Sequence, residues 1–190
     1  MKTKFLVLFL LAWAGALVQA GKRPNVLLIM SDDMGYSDLG CFGGEIRTPH
    51  LDSLAQGGVR FTNFYSENMC WVSRAAMLTG VYHKTSMVNG ALHPHCPTIP
   101  ERLRRAGYQT AMSGKWHLAG KSYRTFPNDR GFDDFYGILG GAASFYAPAH
   151  LHRNRKNVED EAANDTDYYI TDAISSEATQ MIRATPDGKP

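Results

Sequence analysis

Pro24-Asn25-Val26-Leu27-Leu28-Ile29-Met30-Ser31-Asp32-Asp33 sets an unbroken apolar run directly against two adjacent carboxylates. Six residues are too few for a helix, and a run without alternation does not suit a strand with one wet face. It reads as a central strand of a parallel sheet, buried on both faces. In open α/β sheets ligands bind beyond the carboxyl ends of such strands, which is where Asp32 and Asp33 fall. Neighbouring carboxylates repel each other unless a cation lies between them, and an all-oxygen donor pair suits a hard ion, Ca²⁺ or Mg²⁺. The same two residues also read as a solvated Asp-Asp turn.

Outward from this stretch the chain alternates. Thr48-Pro49-His50-Leu51-Asp52-Ser53-Leu54-Ala55-Gln56 opens with a capping residue and Pro in the first turn, and Gly57-Gly58 ends it. Residues 59–65 alternate in polarity and read as the next strand. They deliver the chain to Cys70-Trp71-Val72-Ser73-Arg74-Ala75-Ala76-Met77-Leu78-Thr79-Gly80, whose Ala-Ala-Met-Leu core predicts a helix beginning at Cys70. Unpaired N–H groups and the helix dipole favour an anion there, and Arg74 falls on the same face one turn later. Cys70 thus reads as a reactive group beside an oxyanion site or, alternatively, as a small buried hydrophobe.

Residues 81–97 are turn-rich and hold His83, His93, His95 and Cys96, but the spacing matches no compact zinc pattern. Thr98 caps a third helix that Gly107 terminates, with an Arg cluster on a solvated face. A short strand over 108–113 then places Gly114-Lys115-Trp116-His117 at another strand end. Lys115 and His117 project to one side of an extended segment, offering a cation and a titratable imidazole. Asp133 and Asp134 have no buried strand before them and read as structural. Residues 140–148 read as a loop, 151–165 as a charged segment whose Asn164-Asp165-Thr166 is a possible glycan acceptor, and 167–183 as an amphipathic helix.

Residues 1–20 have the layout of a cleaved secretory signal: Lys2 and Lys4, an apolar run, then Ala20. Cleavage would leave no stable membrane span, and export to a periplasmic, secreted or lysosome-like compartment is expected. Taking Lys2 and Lys4 from the 20 basic residues leaves 18 against 18 acidic ones, a balance that excludes a typical nucleic-acid binder. In an oxidising compartment three cysteines permit one pair, Cys41 with Cys96, or free thiols.

The ordered set of Asp32-Asp33, the Cys70–Gly80 stretch and Gly114-Lys115-Trp116-His117 resembles the sulfatase family, whose signature is Cys or Ser, any residue, Pro, Ser, Arg, three residues, a hydrophobic residue, Thr and Gly. Val72 stands where that signature has Pro. The resemblance implies an alkaline phosphatase-like α/β fold, a mostly parallel mixed sheet sandwiched by helices and incomplete at the C-terminus. Residues 21–190 would be the N-terminal part of the catalytic domain, inactive alone. It implies a sulfuric ester hydrolase acting on an aryl or carbohydrate sulfate, so a sulfated small molecule or glycan as partner. Cys70 would be oxidised to formylglycine by a maturation enzyme. Asp32, Asp33 and the modified Cys70 would bind the metal, usually calcium. Arg74 would steady the formylglycine, Lys115 would contact the sulfate, and His117 would hydrogen-bond the nucleophile. A related phosphodiester or phosphonate hydrolase and a non-catalytic glycan-binding remnant are the competing expectations.

Overall fold

Strand β4 (Asp134–Ile138) is the element about which the chain packs in the computed structural model, which describes residues 23–121, 124–186 and 190. Side chains alternate across a strand. Phe135 accordingly enters one apolar cluster while Tyr136 and Ile138 enter another. The first cluster joins Ala75 and Leu78 of helix α2 (Cys70–Thr79) to Leu92, Trp116, Leu118 and Leu139. The second joins Leu151, Val158, Ala162 and Tyr168 to Ile170, Ala173 and Ile174 of helix α6 (Ile170–Ala184). Helices therefore cover both faces of the sheet.

In chain order the other elements are α1 (Pro49–Gly57), α3 (His83–Ser86), the hairpin β1 (Met87–Val88) and β2 (Ala91–Leu92), α4 (Ile99–Arg105), β3 (Ala111–Ser113), β5 (Leu151–Arg153), β6 (Lys156–Asn157) and α5 (Glu159–Ala163). The main sheet is mixed, in the order β3-β4-β5-β6: β3 and β4 run parallel, and the other two pairings are antiparallel. The fold is α/β with a mixed sheet, as expected. Helix α4 carries the expected cap. Thr98 Oγ1 accepts from Glu101 N, and Glu101 Oε2 accepts from Thr98 N.

Two expected strands do not form. Residues 24–30 lie outside any sheet, with Val26, Leu27, Leu28 and Ile29 at 61, 70, 56 and 63% exposure. Residues 59–65 are likewise outside a sheet, with Val59 and Phe61 at 81 and 66%. An apolar run states a demand for burial, but a strand also needs a hydrogen-bonded neighbour, and among the described residues neither segment has one. The doubly buried strand is instead β4, hidden in the sequence behind Asp133-Asp134 and interrupted by Gly137. That glycine is required by close approach: a Cβ on it would lie 1.8 Å from the carbonyl oxygen of Gly114.

The segment 81–97 is also more ordered than a turn-rich reading suggests. Asn89 and Gly90, both at positive φ, make the tight turn between β1 and β2, the Asn-Gly hairpin signal. The charged segment 151–165 folds into β5, β6 and α5. Cys41, Cys70 and Cys96 are all free thiols, so the Cys41–Cys96 pairing is not formed. The signal-like residues 1–20 lie outside the described residues. No helix among the described residues is long and apolar enough to cross a membrane.

Candidate active site

Helix α2 starts at Cys70 because the preceding backbone, Met69, is extended and its carbonyl accepts the first helical bond, from Ser73 N. The start is held from outside as well: Ser73 Oγ donates to Glu67 O at 2.9 Å. Glu67 in turn receives two bonds from His83, from its backbone N at 3.1 Å and from Nδ1 at 2.5 Å. The His83 ring meets Trp71 edge-on, with centroids 6.1 Å apart. Gly80, at φ 73°, closes the helix.

From the opposite direction β3 ends at Ser113, opposite Tyr136, while β4 runs on to Ile138. Past Ser113 the pairing continues irregularly, with Trp116 N donating to Ile138 O and His117 N to Leu139 O. Trp116 is buried in the core and donates Nε1–H to Thr125 O. Its neighbours on either side therefore face outward, and the expected shared side of Lys115 and His117 is observed. His117 Nδ1 lies 3.3 Å from Cys70 Sγ, and Lys115 Nζ lies 2.6 Å from Asp32 Oδ2. His117 reaches this position at φ 57°, a left-handed conformation that costs a non-glycine residue on the order of 1 kcal/mol or more. The ring packs so closely on Gly141 that a Cβ there would lie 2.3 Å from Nε2.

Arg74, 8% exposed, joins the two halves. Its Nη1 donates to Lys115 O at 2.6 Å, and Nη2 lies 3.7 Å from Asp32 Oδ1. Each oxygen of Asp32 thus faces a different cation. Burial raises the Asp32 pKa, but the hydrogen bond and charge of Lys115, with Arg74 behind them, outweigh it and hold the carboxyl below its usual range. For His117 burial and the two cations act together, so its pKa is depressed and the neutral imidazole is favoured. Arg74 Nε is buried without a hydrogen-bond partner.

Cys70, Arg74, Asp32, Lys115 and His117 are therefore brought together from three chain segments, and Asp33 adjoins them at φ 54°. The family profile for sulfatases matches residues 24–190. The chain belongs to the sulfatase family. Among similar sulfatases, the arylsulfatase of Klebsiella aerogenes is 33% identical over 93% of this chain and 42% of its own length. Human arylsulfatase A is 45% identical over 68% of this chain and 28% of its own. In three dimensions the chain is similar to Ps i-CgsB, solved with k-i-k-neocarrahexaose, with a TM-score of 0.73 and 33% identity over 85% of this chain and 41% of that one. It is also similar to BT4656, solved with its substrate D-glucosamine-2-N,6-O-disulfate, with a TM-score of 0.72 and 33% identity, over 89% of this chain and 33% of that one. This sulfatase chain spans less than half the length of these relatives.

The carboxylates of Asp32 and Asp33 are donors of the kind a hard divalent cation takes, although both oxygens of Asp32 already face Arg74 and Lys115. Among the described residues no group of three or more His, Cys, Asp or Glu side chains gathers to hold one. The candidate zinc ligands are engaged elsewhere: His83 with Glu67, His93 ring-to-ring with His95, and Cys96 Sγ with Thr85 O. Glu67, His83 and Gly141 were not legible as site residues. Only Glu67, close before Cys70, carried a hint, because a carboxylate near a helix start can serve its free N–H groups.

Proposed function

We propose that this chain carries the nucleophile-bearing part of a sulfuric ester hydrolase, an N-terminal part of the catalytic domain over residues 21–190, acting on an aryl or carbohydrate sulfate. The observation that supports it is the convergence of Cys70 and His117 at 3.3 Å beside the Arg74–Asp32–Lys115 cluster. Both named structural relatives were solved with carbohydrate ligands, which supports a sulfated glycan over a phosphate diester.

Sulfate-ester cleavage needs cations at the sulfuryl oxygens and a group that can take and return a proton at the nucleophile. Lys115 and Arg74 supply the cations, and the N–H groups of the first turn of α2 would add to them. His117, whose pKa is depressed by burial and by those cations, lies where it would accept a proton from an oxygen at position 70. Asp32 fixes Lys115 and Arg74 in place. Asp32 and Asp33 would hold Ca²⁺ or Mg²⁺, which would add charge neutralisation at the same oxygens. Oxidation of Cys70 to formylglycine by a maturation enzyme would supply a hydrated aldehyde as the nucleophile. The signal-like residues 1–20 support delivery to a periplasmic, secreted or lysosome-like compartment.

Mass spectrometry of the Cys70 peptide after co-expression with a formylglycine-generating enzyme tests the reading. A loss of sulfur with gain of oxygen is expected, and an intact thiol in every molecule would overturn the mechanism.

A further inference from the structure

The loop that leaves the site rim carries an aromatic surface that the reaction as described does not use. β4 ends at Ile138 and β5 returns antiparallel from Leu151, paired with it, so residues 139–150 form the connection standing on the rim where His117 lies. Gly141, against the His117 ring, is the third residue beyond β4. Four residues later is Phe145, at most about 14 Å along the chain, the reach of one or two sugar rings. Phe145 stacks on Tyr169 with centroids 5.8 Å apart and planes at 26°, and Tyr146 meets the same ring at 5.6 Å. Phe145 and Tyr146 nevertheless remain 56 and 69% exposed.

The surface is built rather than incidental. Ser144 Oγ accepts from Tyr146 N and Ala147 N, shaping the turn that presents the two rings. Ala143 packs on the second core cluster before them, and Pro148 is buried after them. Phe145 O accepts from Ile170 N at 2.8 Å, clamping the loop to the start of α6. Tyr169 is fixed by its neighbour Tyr168, which is buried and bonded to Tyr136 through the two hydroxyls at 3.1 Å.

We propose that Phe145, Tyr146 and Tyr169 form a subsite that stacks against the pyranose ring of a sulfated sugar whose sulfate lies at Lys115 and His117. The inference rests on the sulfatase reading for the position of the sulfate. A pyranose has an apolar C–H face and a hydroxyl edge. Aromatic faces attract the first through their negative π-clouds, and the two tyrosine hydroxyls suit the second. A ring already stacked on its neighbours loses little freedom when a ligand arrives, so the ordering cost is small.

NMR titration of the full chain with galactose 6-sulfate, galactose and inorganic sulfate tests it. Galactose 6-sulfate should bind about tenfold more tightly than inorganic sulfate, one good aromatic contact in affinity terms. Phe145→Ala and Tyr169→Ala should each bring that ratio towards one, and Phe145→Tyr should keep it. A ratio of one in the unsubstituted chain, as when another segment or protein covers the rings, overturns the subsite, as does a ratio that neither Ala variant changes. Galactose binding that Phe145→Ala abolishes, without any binding of inorganic sulfate, would instead overturn the placement of the sulfate at Lys115 and His117 and leave the sugar platform standing.

Discussion

Cys70 Sγ and His117 Nδ1, 47 residues apart in sequence, lie within 3.3 Å of each other. The contact requires two placements at once: the first residue of α2, and an imidazole held at positive φ past the end of β3. Gly141 is what leaves room for the ring. Gly141→Ala should displace His117, cost about 1–3 kcal/mol by overpacking and lower kcat far more than it raises KM for a small aryl sulfate. Matched kinetics and thermal melts of the full protein check this. An unaltered kcat would show that the ring position is not needed.

Arg74 binds a carbonyl and a carboxylate at once, which a lysine ammonium on a flexible stem does not reproduce. Arg74→Lys should therefore behave nearly as badly as Arg74→Ala. Each should lose about 10²-fold or more in kcat/KM, as for removal of an oxyanion donor, and Arg74→Ala should cost about 1–3 kcal/mol of stability by orphaning the Lys115 carbonyl. Denaturant titration and aryl sulfate kinetics measure the two effects separately.

Glu67 ties the start of α2 to α3 through His83. Burial works to raise its pKa, but the His83 backbone and side-chain bonds prevail and hold it below its ordinary value of 4.5. A group depressed in the folded state contributes stability above its unfolded pKa, and that contribution disappears as pH falls through the folded one. Melting temperature should thus decline below about pH 4.5 in the parent protein. Glu67→Gln should melt lower at pH 7 and show a smaller further decline in that acid window. Parallel decline of both proteins would remove Glu67 from the account.

Calcium should raise the melting temperature if Asp32 and Asp33 contribute to a cation site. At a hundredfold excess over Kd the expected stabilisation is about 2.7 kcal/mol. Asp33→Asn should reduce it, and should do so more cleanly than Asp32→Asn, which also frees Lys115 and Arg74. Differential scanning with and without chelator reads the difference directly.

The helix at Cys70, the capped helix α4 and the amphipathic α6 were legible in the sequence because caps, terminators and a 3.6-residue period are local signals. The candidates Asp32, Asp33, Cys70, Lys115 and His117 stood out in the sequence because their chemistry is unusual at their positions: paired carboxylates, a cysteine at a helix start, and a lysine and histidine spaced to share a side. The strands were less legible. β4 is broken by a glycine that its approach to Gly114 explains, while residues 24–30 carry the apolar pattern of a strand without a partner among the described residues.

By itself the sequence determined which side chains carry charge and reactivity, where helices start, and the order in which the three motifs occur. Only the tertiary structure decided that Asp32 faces Lys115 and Arg74 together, that Gly141 seats the His117 ring, that Glu67 and His83 brace the start of α2, and that all three cysteines are free. It also gathered Phe145 and Tyr146 against the Tyr169 ring. The reason is physical. Propensity and periodicity act over a few residues, whereas pairing, close packing and charge neutralisation depend on what the folded chain brings together from far apart in sequence.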